Sequence, residues 1–166
     1  MYRKLLGLFA VVVLLAGCET APTSQAGGGG ATTTLGQQTA VAPVGPAPGT
    51  ADDLRVNVGD RLFFDFDRSD LKPEARQQVE RWAAWLTRFP QRTVVIEGHC
   101  DERGTREYNL ALGERRANAA RQYLVSLGIA ANRVTTISYG KERPTVSGNN
   151  EAAWSQNRRA VLGIRT

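Results

Sequence analysis

Residues 99–104 place several chemically active side chains in six consecutive positions. The segment reads His-Cys-Asp-Glu-Arg-Gly and combines a base, a thiol, two carboxylates and a guanidinium. Such a group could ligate a metal ion, pair a nucleophile with its base, or bind a ligand without breaking a bond. The spacing of the residues and the elements around them distinguish these three roles.

Metal binding and catalysis both fit the spacing poorly. His99, Cys100, Asp101 and Glu102 are adjacent, whereas structural zinc sites separate their ligands by two to four residues, and the chain has only one histidine. A thiol nucleophile must lie within hydrogen-bond reach of its base, but neighbours in an extended strand point in opposite directions. We therefore predict no metal, no cofactor and no enzymatic activity. An envelope hydrolase with Asp101 and Glu102 as catalytic carboxylates is the alternative.

A binding role gains support from the helix that is predicted to follow this loop. Thr105 can cap the helix, and Asn109, Leu112 and Arg116 share one of its faces because they lie three, four and seven positions apart. That face should flank Asp101 at the end of the preceding strand. The acid and the arginine form either a salt bridge or the two halves of a receptor for a zwitterion.

The hydrophobic pattern predicts an α/β two-layer sandwich. Strands are expected at residues 61–66, 93–97, 133–139 and 160–164, and long helices from Pro73 to just before Pro90 and from Thr105 to Gly128. Residues 151–157 suggest a short helix. The order β-α-β-α-β-β predicts a mixed four-stranded sheet with two main helices on one face. The predicted core is Trp82, Leu86, Ile96, Leu110, Leu124, Val134 and Ile137.

The N-terminal third of the chain is predicted to lie outside this domain. Residues 1–17 read as a signal peptide, with Arg3 and Lys4 before a short apolar stretch. The ending Leu-Ala-Gly-Cys resembles the lipobox of bacterial lipoproteins, which implies a lipid on Cys18, and Glu19 in place of Asp favours the outer membrane. Residues 18–51 are rich in Gly, Ala, Thr and Pro and predict a flexible tether. The folded domain is expected at 52–166.

Charge and cysteine content narrow the classes of partner. The formal net charge of +5 falls by two when Arg3 and Lys4 leave with the signal peptide. The remaining acids and bases are interspersed, so nucleic acid is not an expected partner. With Cys18 lipidated, Cys100 is the only other thiol, which excludes a disulfide within the chain.

Four motifs in order resemble the OmpA-like family of peptidoglycan-binding domains, and within it the peptidoglycan-associated lipoproteins. The motifs are FDFDRSDLKPEA at 64–75, IEGHCDERGTREYNLALGERRA at 96–117, ISYGKERP at 137–144 and WSQNRRA at 154–160. The resemblance covers residues 60–166. The chain departs from the family at Cys100, where a small residue is usual, and we expect this change to be tolerated.

The resemblance implies non-covalent binding of the diaminopimelate-containing peptide stem of peptidoglycan. Asp101 would pair with the ammonium of the ligand, and Arg116 would bind its carboxylate bidentately. Phe66 and Asp67 match residues that line the family's site, and Arg103 and Leu112 match further contacts there. The resemblance also implies TolB and TolA as partners in the Tol-Pal system of cell division. TolB would compete with the wall for the same surface.

Overall fold

Four strands form one mixed sheet, as the sequence predicts. In the computed structural model they are β1 (Arg61–Phe63), β2 (Val94–His99), β3 (Val134–Gly140) and β4 (Arg159–Ile164), in the spatial order β1-β4-β2-β3. β2 and β3 are parallel, whereas β4 is antiparallel to both β1 and β2. β1 is shorter than predicted, because after Phe64 the chain turns back, with Arg68 N–H donating to Asp65 O.

The structure describes residues 45–165, which belong to one compact unit that spans residues 42–166. The predicted signal peptide at 1–17, the lipid-bearing Cys18 and the tether up to residue 44 lie outside the described residues. Among the described helices, none is long and apolar enough to cross a membrane. The sheet and the hydrophobic core both lie within residues 45–165, so we expect 42–166 to fold without the preceding segment.

The two predicted main helices are present and pack on one face of the sheet. The helices are α1 (Ala51–Asp53), α2 (Pro73–Arg88), α3 (Arg106–Ser126) and α4 (Glu151–Asn157). A π-helical segment (Leu54–Val58) follows α1, and a 3-10 turn (Ala131–Arg133) precedes β3. Thr105 caps α3 as expected, because its hydroxyl oxygen accepts a hydrogen bond from the backbone N–H of Tyr108 at 3.2 Å.

The core lies between the sheet and these two helices, but two predicted members, Leu110 and Ile137, are not part of it. Trp82, Leu86, Ile96, Leu124 and Val134 are buried there, whereas Leu110 is half-buried and lies outside the cluster of core residues. Ile137 is 41% exposed, so its assignment to the core is wrong. It lies on the edge strand β3 opposite Glu97 of β2, on the face of the sheet that carries no helix.

Two glycines bring α3 directly against β2. A Cβ atom added to Gly98 would lie 1.8 Å from the carbonyl oxygen of Gly113, and one added to Gly113 would lie 2.9 Å from Gly98 O. Only glycine permits the backbones to approach this closely. The contact fixes the first half of α3 beside the end of β2, which is where the charged loop begins.

The strand directions give the domain two distinct ends. β1, β2 and β3 run the same way, so the segments 64–72, 100–105 and 141–150 that follow them lie together at what we call the site end. Residues 45–60, 89–93 and 127–133 lie at the opposite end, where these strands begin, and we call it the proximal end. The chain enters the domain at the proximal end.

Candidate ligand-binding site

All six residues predicted for the ligand site line one pocket of about 140 Å³ at the site end. They are Phe66, Asp67, Asp101, Arg103, Leu112 and Arg116. Cys100, Gly104, Tyr108 and Asn109 complete the lining. A larger and more open groove of about 440 Å³ runs beside β1, α2 and α4, but it includes none of the six. The sequence therefore identified residues from three separate segments that the fold brings together.

Asp101 is a buried carboxylate that is fully hydrogen-bonded. Its Oδ1 accepts from the backbone N–H and the Nε of Arg103 at 3.1 and 3.2 Å, and its Oδ2 accepts from Nη2 of Arg103 at 2.6 Å. Arg158 donates to the same Oδ2 through Nη1 at 3.4 Å. Burial alone would raise the pKa of Asp101, but the hydrogen bonds from Arg103 outweigh it and hold the pKa below its usual range. Asp101 is therefore ionised at neutral pH.

Two aromatic rings hold the Arg103 guanidinium. Its Cζ lies 4.0 Å from the ring centroid of Phe66 and 4.0 Å from that of Trp154. This distance is well within the range of cation–π attraction. The indole Nε1 of Trp154 in turn donates to Oε1 of Glu102 at 3.1 Å, which fixes the plane of the ring. The loop and α4 thus position Arg103 against Asp101 from both sides.

Trp154 and Arg158 were not among the predicted site residues, although both reach the charged loop from the last motif. Arg158 is buried and also donates from Nε to the carbonyl oxygen of Phe64 at 3.0 Å. Its contact with Asp101 joins residues 57 positions apart. The only signal in the sequence was that both residues belong to the WSQNRRA motif, which gave no indication of the direction of their side chains.

Arg116 lies beneath the pocket and holds the backbone around it. It has no exposed surface, and it donates from Nε to Arg68 O at 2.8 Å, from Nη1 to His99 O at 2.8 Å, and from Nη2 to Asp65 O at 3.0 Å. Nη1 also lies 3.4 Å from the sulfur of Cys100. These contacts take four of the five N–H groups of a guanidinium. In this structure, Arg116 does not present the free bidentate fork that the resemblance implied, but one N–H of Nη2 remains.

Asp67 occupies a strained position at the rim of the pocket. Its φ of 56° is the one positive φ of a non-glycine residue among residues 45–165. Its carboxylate accepts a hydrogen bond from the hydroxyl of Tyr108, and this bond raises the pKa of Tyr108. Backbone strain of this kind persists only where surrounding contacts fix it, and it is concentrated at functional sites.

His99 and Cys100 face opposite sides of the sheet, as the strand geometry predicts. The Cys100 thiol is buried against α3 and donates to Asn109 O at 3.3 Å, and burial raises its pKa to about 11. The imidazole of His99 lies on the other face, with its ring centroid 5.5 Å from that of Tyr139. The pair is therefore not a nucleophile with its base. In residues 45–165 no three His, Cys, Asp or Glu side chains are grouped to hold a metal ion.

His99 is a structural residue that forms no side-chain hydrogen bond. It is the last residue of β2 and is 2% exposed, and neither of its ring nitrogens has a hydrogen-bond partner. The closest acidic group is Glu97, whose Oε2 lies 3.5 Å from Nε2. Burial, together with the positive charges of Arg159 and Arg143, lowers the pKa of His99 to about 4. The imidazole is neutral at physiological pH.

Comparison with known proteins shows the family of the chain and agrees with the fold. Residues 63–158 match the model of the OmpA family. A peptidoglycan-associated lipoprotein of Mesorhizobium japonicum is 56% identical over 117 residues, which cover 70% of each chain. Another such protein, of Haemophilus influenzae, is 42% identical over 151 residues, which cover 91% of this chain and 90% of the relative.

Solved structures extend this agreement to the architecture. The crystal structure of the peptidoglycan-associated lipoprotein of Burkholderia pseudomallei superposes with a TM-score of 0.62 and 42% identity, over 64% of this chain and 90% of that one. The C-terminal domain of Helicobacter pylori MotB has the same fold, with a TM-score of 0.60, at 19% identity over 64% of this chain and 84% of that one. The family match, the identities and the shared fold agree, and this chain belongs to the OmpA family.

Proposed function

We propose that this protein is an outer-membrane lipoprotein that binds the cell wall without covalent linkage. The pocket at the site end takes the diaminopimelate-containing peptide stem of peptidoglycan, and the lipid on Cys18 holds the other end of the chain in the outer membrane. The observation that carries the proposal is the convergence of all six predicted residues on one pocket with an ionised Asp101 at its side. The relatives named peptidoglycan-associated lipoprotein support the same reading.

The ligand chemistry follows from the charges around the pocket. An ammonium group of the ligand binds Asp101, and because Arg103 and Arg158 already occupy the acceptor positions of that carboxylate, it displaces donors of Arg103. The displaced guanidinium and the last free N–H of Arg116 then meet the carboxylate of the ligand. The ion pair between Asp101 and the ligand replaces the one between Asp101 and Arg103, so the net free energy of binding is modest and binding is reversible.

The same geometry disfavours the alternative, a hydrolase that uses Asp101 and Glu102. A catalytic acid in such an enzyme needs a raised pKa so that it carries a proton, whereas the pKa of Asp101 is lowered. Glu102 is exposed and accepts a hydrogen bond from Trp154, outside the pocket lining. We therefore propose a binding domain without catalytic activity.

The anchor and the protein partners belong to the same proposal. The segment from Cys18 to the domain lets the anchored domain reach from the membrane towards the wall, since a coil of about 30 residues spans roughly 30 Å. TolB and TolA are the expected protein partners, in the Tol-Pal system of envelope integrity and cell division. TolB competes with the wall where its contacts overlap the pocket.

Sedimentation with purified sacculi tests wall binding. We expect residues 42–166 to pellet with the wall, and free meso-diaminopimelate to return them to the supernatant. The Asp101→Asn variant should stay in solution, whereas Asp52→Asn at the proximal end should pellet like the wild type. Wild-type protein that stays in the supernatant would overturn the proposal, and release of muropeptides from the wall would favour the hydrolase.

Membrane fractionation tests the anchor. We expect the full chain, expressed in a Gram-negative host, to carry a lipid on Cys18 that mass spectrometry detects, and to fractionate with the outer membrane. The Cys18→Ser variant should be soluble in the periplasm. The peptidoglycan must be removed before fractionation, because wall binding alone could hold the variant in the envelope fraction. A Cys18→Ser chain that still fractionates with the outer membrane after this step would contradict the lipid anchor.

A further inference from the structure

Two of the three segments at the proximal end carry basic residues without acidic ones. The loops 89–93 and 127–133 at the proximal end contain Arg92 and Arg133 and no acidic residue. Arg88 ends α2 beside them. At the site end, by contrast, acids are frequent and several are paired with bases, as in Lys72 with Asp65. The excess of positive charge at the proximal end is therefore confined to these two loops and the end of α2, because residues 45–60 add three aspartates and one arginine.

Contacts among these residues show that they form one surface. Arg133 donates to the carbonyl oxygens of Leu86, Phe89 and Arg92 at 2.9–3.0 Å, which joins the end of α2 to the start of β3. The Cζ of Arg88 lies 5.7 Å from the ring centroid of Phe89. We call Arg88, Arg92 and Arg133 the proximal arginines.

Of the three acids at this end, only Asp53 acts on a proximal arginine, because the charge of Arg88 is among the causes that lower the pKa of Asp53. Asp52 pairs with Arg55 at 2.7 Å, and Asp60 with Arg61 at 3.0 Å. Asp53 is buried and accepts a hydrogen bond from the indole of Trp85. Arg88 and Arg92 are exposed and form no ion pair with any residue of 45–165, so their charges are available to an external anion.

The chain enters the domain at this same surface. Gly49 packs against the ring of Phe89, because a Cβ added to Gly49 would lie 2.8 Å from that ring. The proximal arginines therefore lie on the side of the domain from which the N-terminal segment leaves. On the proposed function, on which this step rests, that segment ends in a lipid bilayer.

We propose that the proximal arginines dock on the headgroups of anionic phospholipids. Each arginine near such a surface gains a favourable electrostatic free energy that adds to the others, and the anchored chain keeps the local concentration of lipid high. The six residues of β2 separate this surface from the ligand loop by about 20 Å. Docking thus turns the pocket away from the membrane and towards the wall.

Vesicle binding of residues 42–166 tests the proposal. We expect the protein to sediment with vesicles of equal parts phosphatidylethanolamine and phosphatidylglycerol at about 20 mM salt, and to be released at about 500 mM. It should not bind phosphatidylcholine vesicles. The double variant Arg88→Glu/Arg92→Glu should lower the partition coefficient at least about tenfold. The matched variant Arg76→Glu/Arg81→Glu reverses two exposed charges earlier in α2 and should retain most of the binding.

Two results would overturn the docking surface. One is absence of binding to the anionic vesicles at low salt, and the other is an equal loss in both double variants, which would show a response to net charge alone. Sacculus sedimentation of Arg88→Glu/Arg92→Glu separates this proposal from the wall-binding one, because it should equal that of the wild type. A wild type that fails to bind sacculi but binds anionic vesicles would reject only the wall-binding proposal.

Discussion

Arg103 pairs with the carboxylate of Asp101, with Nη2 2.6 Å from Oδ2 and Nε 3.2 Å from Oδ1. The cation that the site is proposed to bind must therefore compete with a cation that the protein supplies. This relationship keeps a buried carboxylate ionised and paired when no ligand is bound, which avoids the large cost of an isolated buried charge.

Replacing Asp101 by asparagine should abolish most of the wall binding. The change keeps the size of the side chain and removes its charge, so an ammonium ligand loses a charge-assisted hydrogen bond of about 1.5–3 kcal/mol, which corresponds to roughly ten- to a hundredfold in affinity. Sedimentation at several sacculus concentrations measures the change. A thermal melt establishes that the variant is folded, and an affinity within about twofold of the wild type would contradict the assigned role of Asp101.

Ligand binding should change the fluorescence of Trp154. Its ring stacks on the Arg103 guanidinium at 4.0 Å, and displacement of that cation alters the environment of the indole. Trp82 and Trp85 are buried in the core and should not respond. We expect soluble muropeptide to shift the emission of the wild type, and Trp154→Phe to lose the shift. An unchanged spectrum at saturating muropeptide would show that Arg103 stays in place.

Arg116→Ala should destabilise the domain as well as weaken binding. The variant leaves three backbone carbonyl oxygens in the interior without their donor and opens a cavity beneath the pocket. Losses of this kind lower the free energy of unfolding by about 3 kcal/mol. Urea denaturation measures the effect. Arg115→Ala, on the exposed side of the same helix, is the matched control and should change stability by less than about 1 kcal/mol.

Spacing in the sequence was sufficient to predict the architecture, whereas the proposed site residues came from the resemblance to the OmpA-like family. Apolar residues at steps of three and four predicted α2 and α3, and the shared helix face of Asn109, Leu112 and Arg116 predicted that Arg116 would lie near Asp101. The six predicted residues come from segments that four ordered motifs define. Such patterns are local, so they can be recognised in the sequence without knowledge of the packing.

The partners of these side chains could not be predicted in the same way. Arg158 reaches Asp101 across 57 positions, and the spacing does not reveal such a contact. Arg116 was expected to face a ligand, yet it binds backbone carbonyls from two other segments. Ile137 was assigned to the core because it is apolar and lies in a strand, whereas its position at the sheet edge leaves it half in solvent. These features depend on tertiary contacts that period and composition do not specify.

Gly98→Ala should strongly destabilise the fold through the approach of α3 to β2. The added methyl group would lie 1.8 Å from Gly113 O, so the helix must move away from the sheet. We expect a loss of at least about 3 kcal/mol in the free energy of unfolding, measured by urea denaturation. Gly163→Ala in β4 is the control, because its nearest contact would be an ordinary 3.5 Å from Val95. Equal stability of the two variants would contradict the close approach.

His99 should make the stability of the domain fall in mild acid. Its pKa is about 4 in the folded protein and close to the ordinary value of 6.5 in the unfolded chain. Above pH 6.5 the imidazole is neutral in both the folded and the unfolded chain, so His99 does not lower the free energy of unfolding. As the pH falls from 6.5 towards 4 the unfolded chain binds a proton that the folded domain does not, so unfolding becomes more favourable by about 1.4 kcal/mol per pH unit.

The His99→Phe variant isolates this contribution, because phenylalanine fills the same space beside Tyr139 without titrating. Urea denaturation at a series of pH values should show wild type and variant following parallel curves above pH 6.5. Below that, the wild type should lose up to about 3 kcal/mol more than the variant by pH 4, since the acidic groups titrate alike in both and cancel in the difference. Parallel curves throughout this range would mean that the folded imidazole takes up a proton as readily as the unfolded one, and that His99 is not confined as the structure shows.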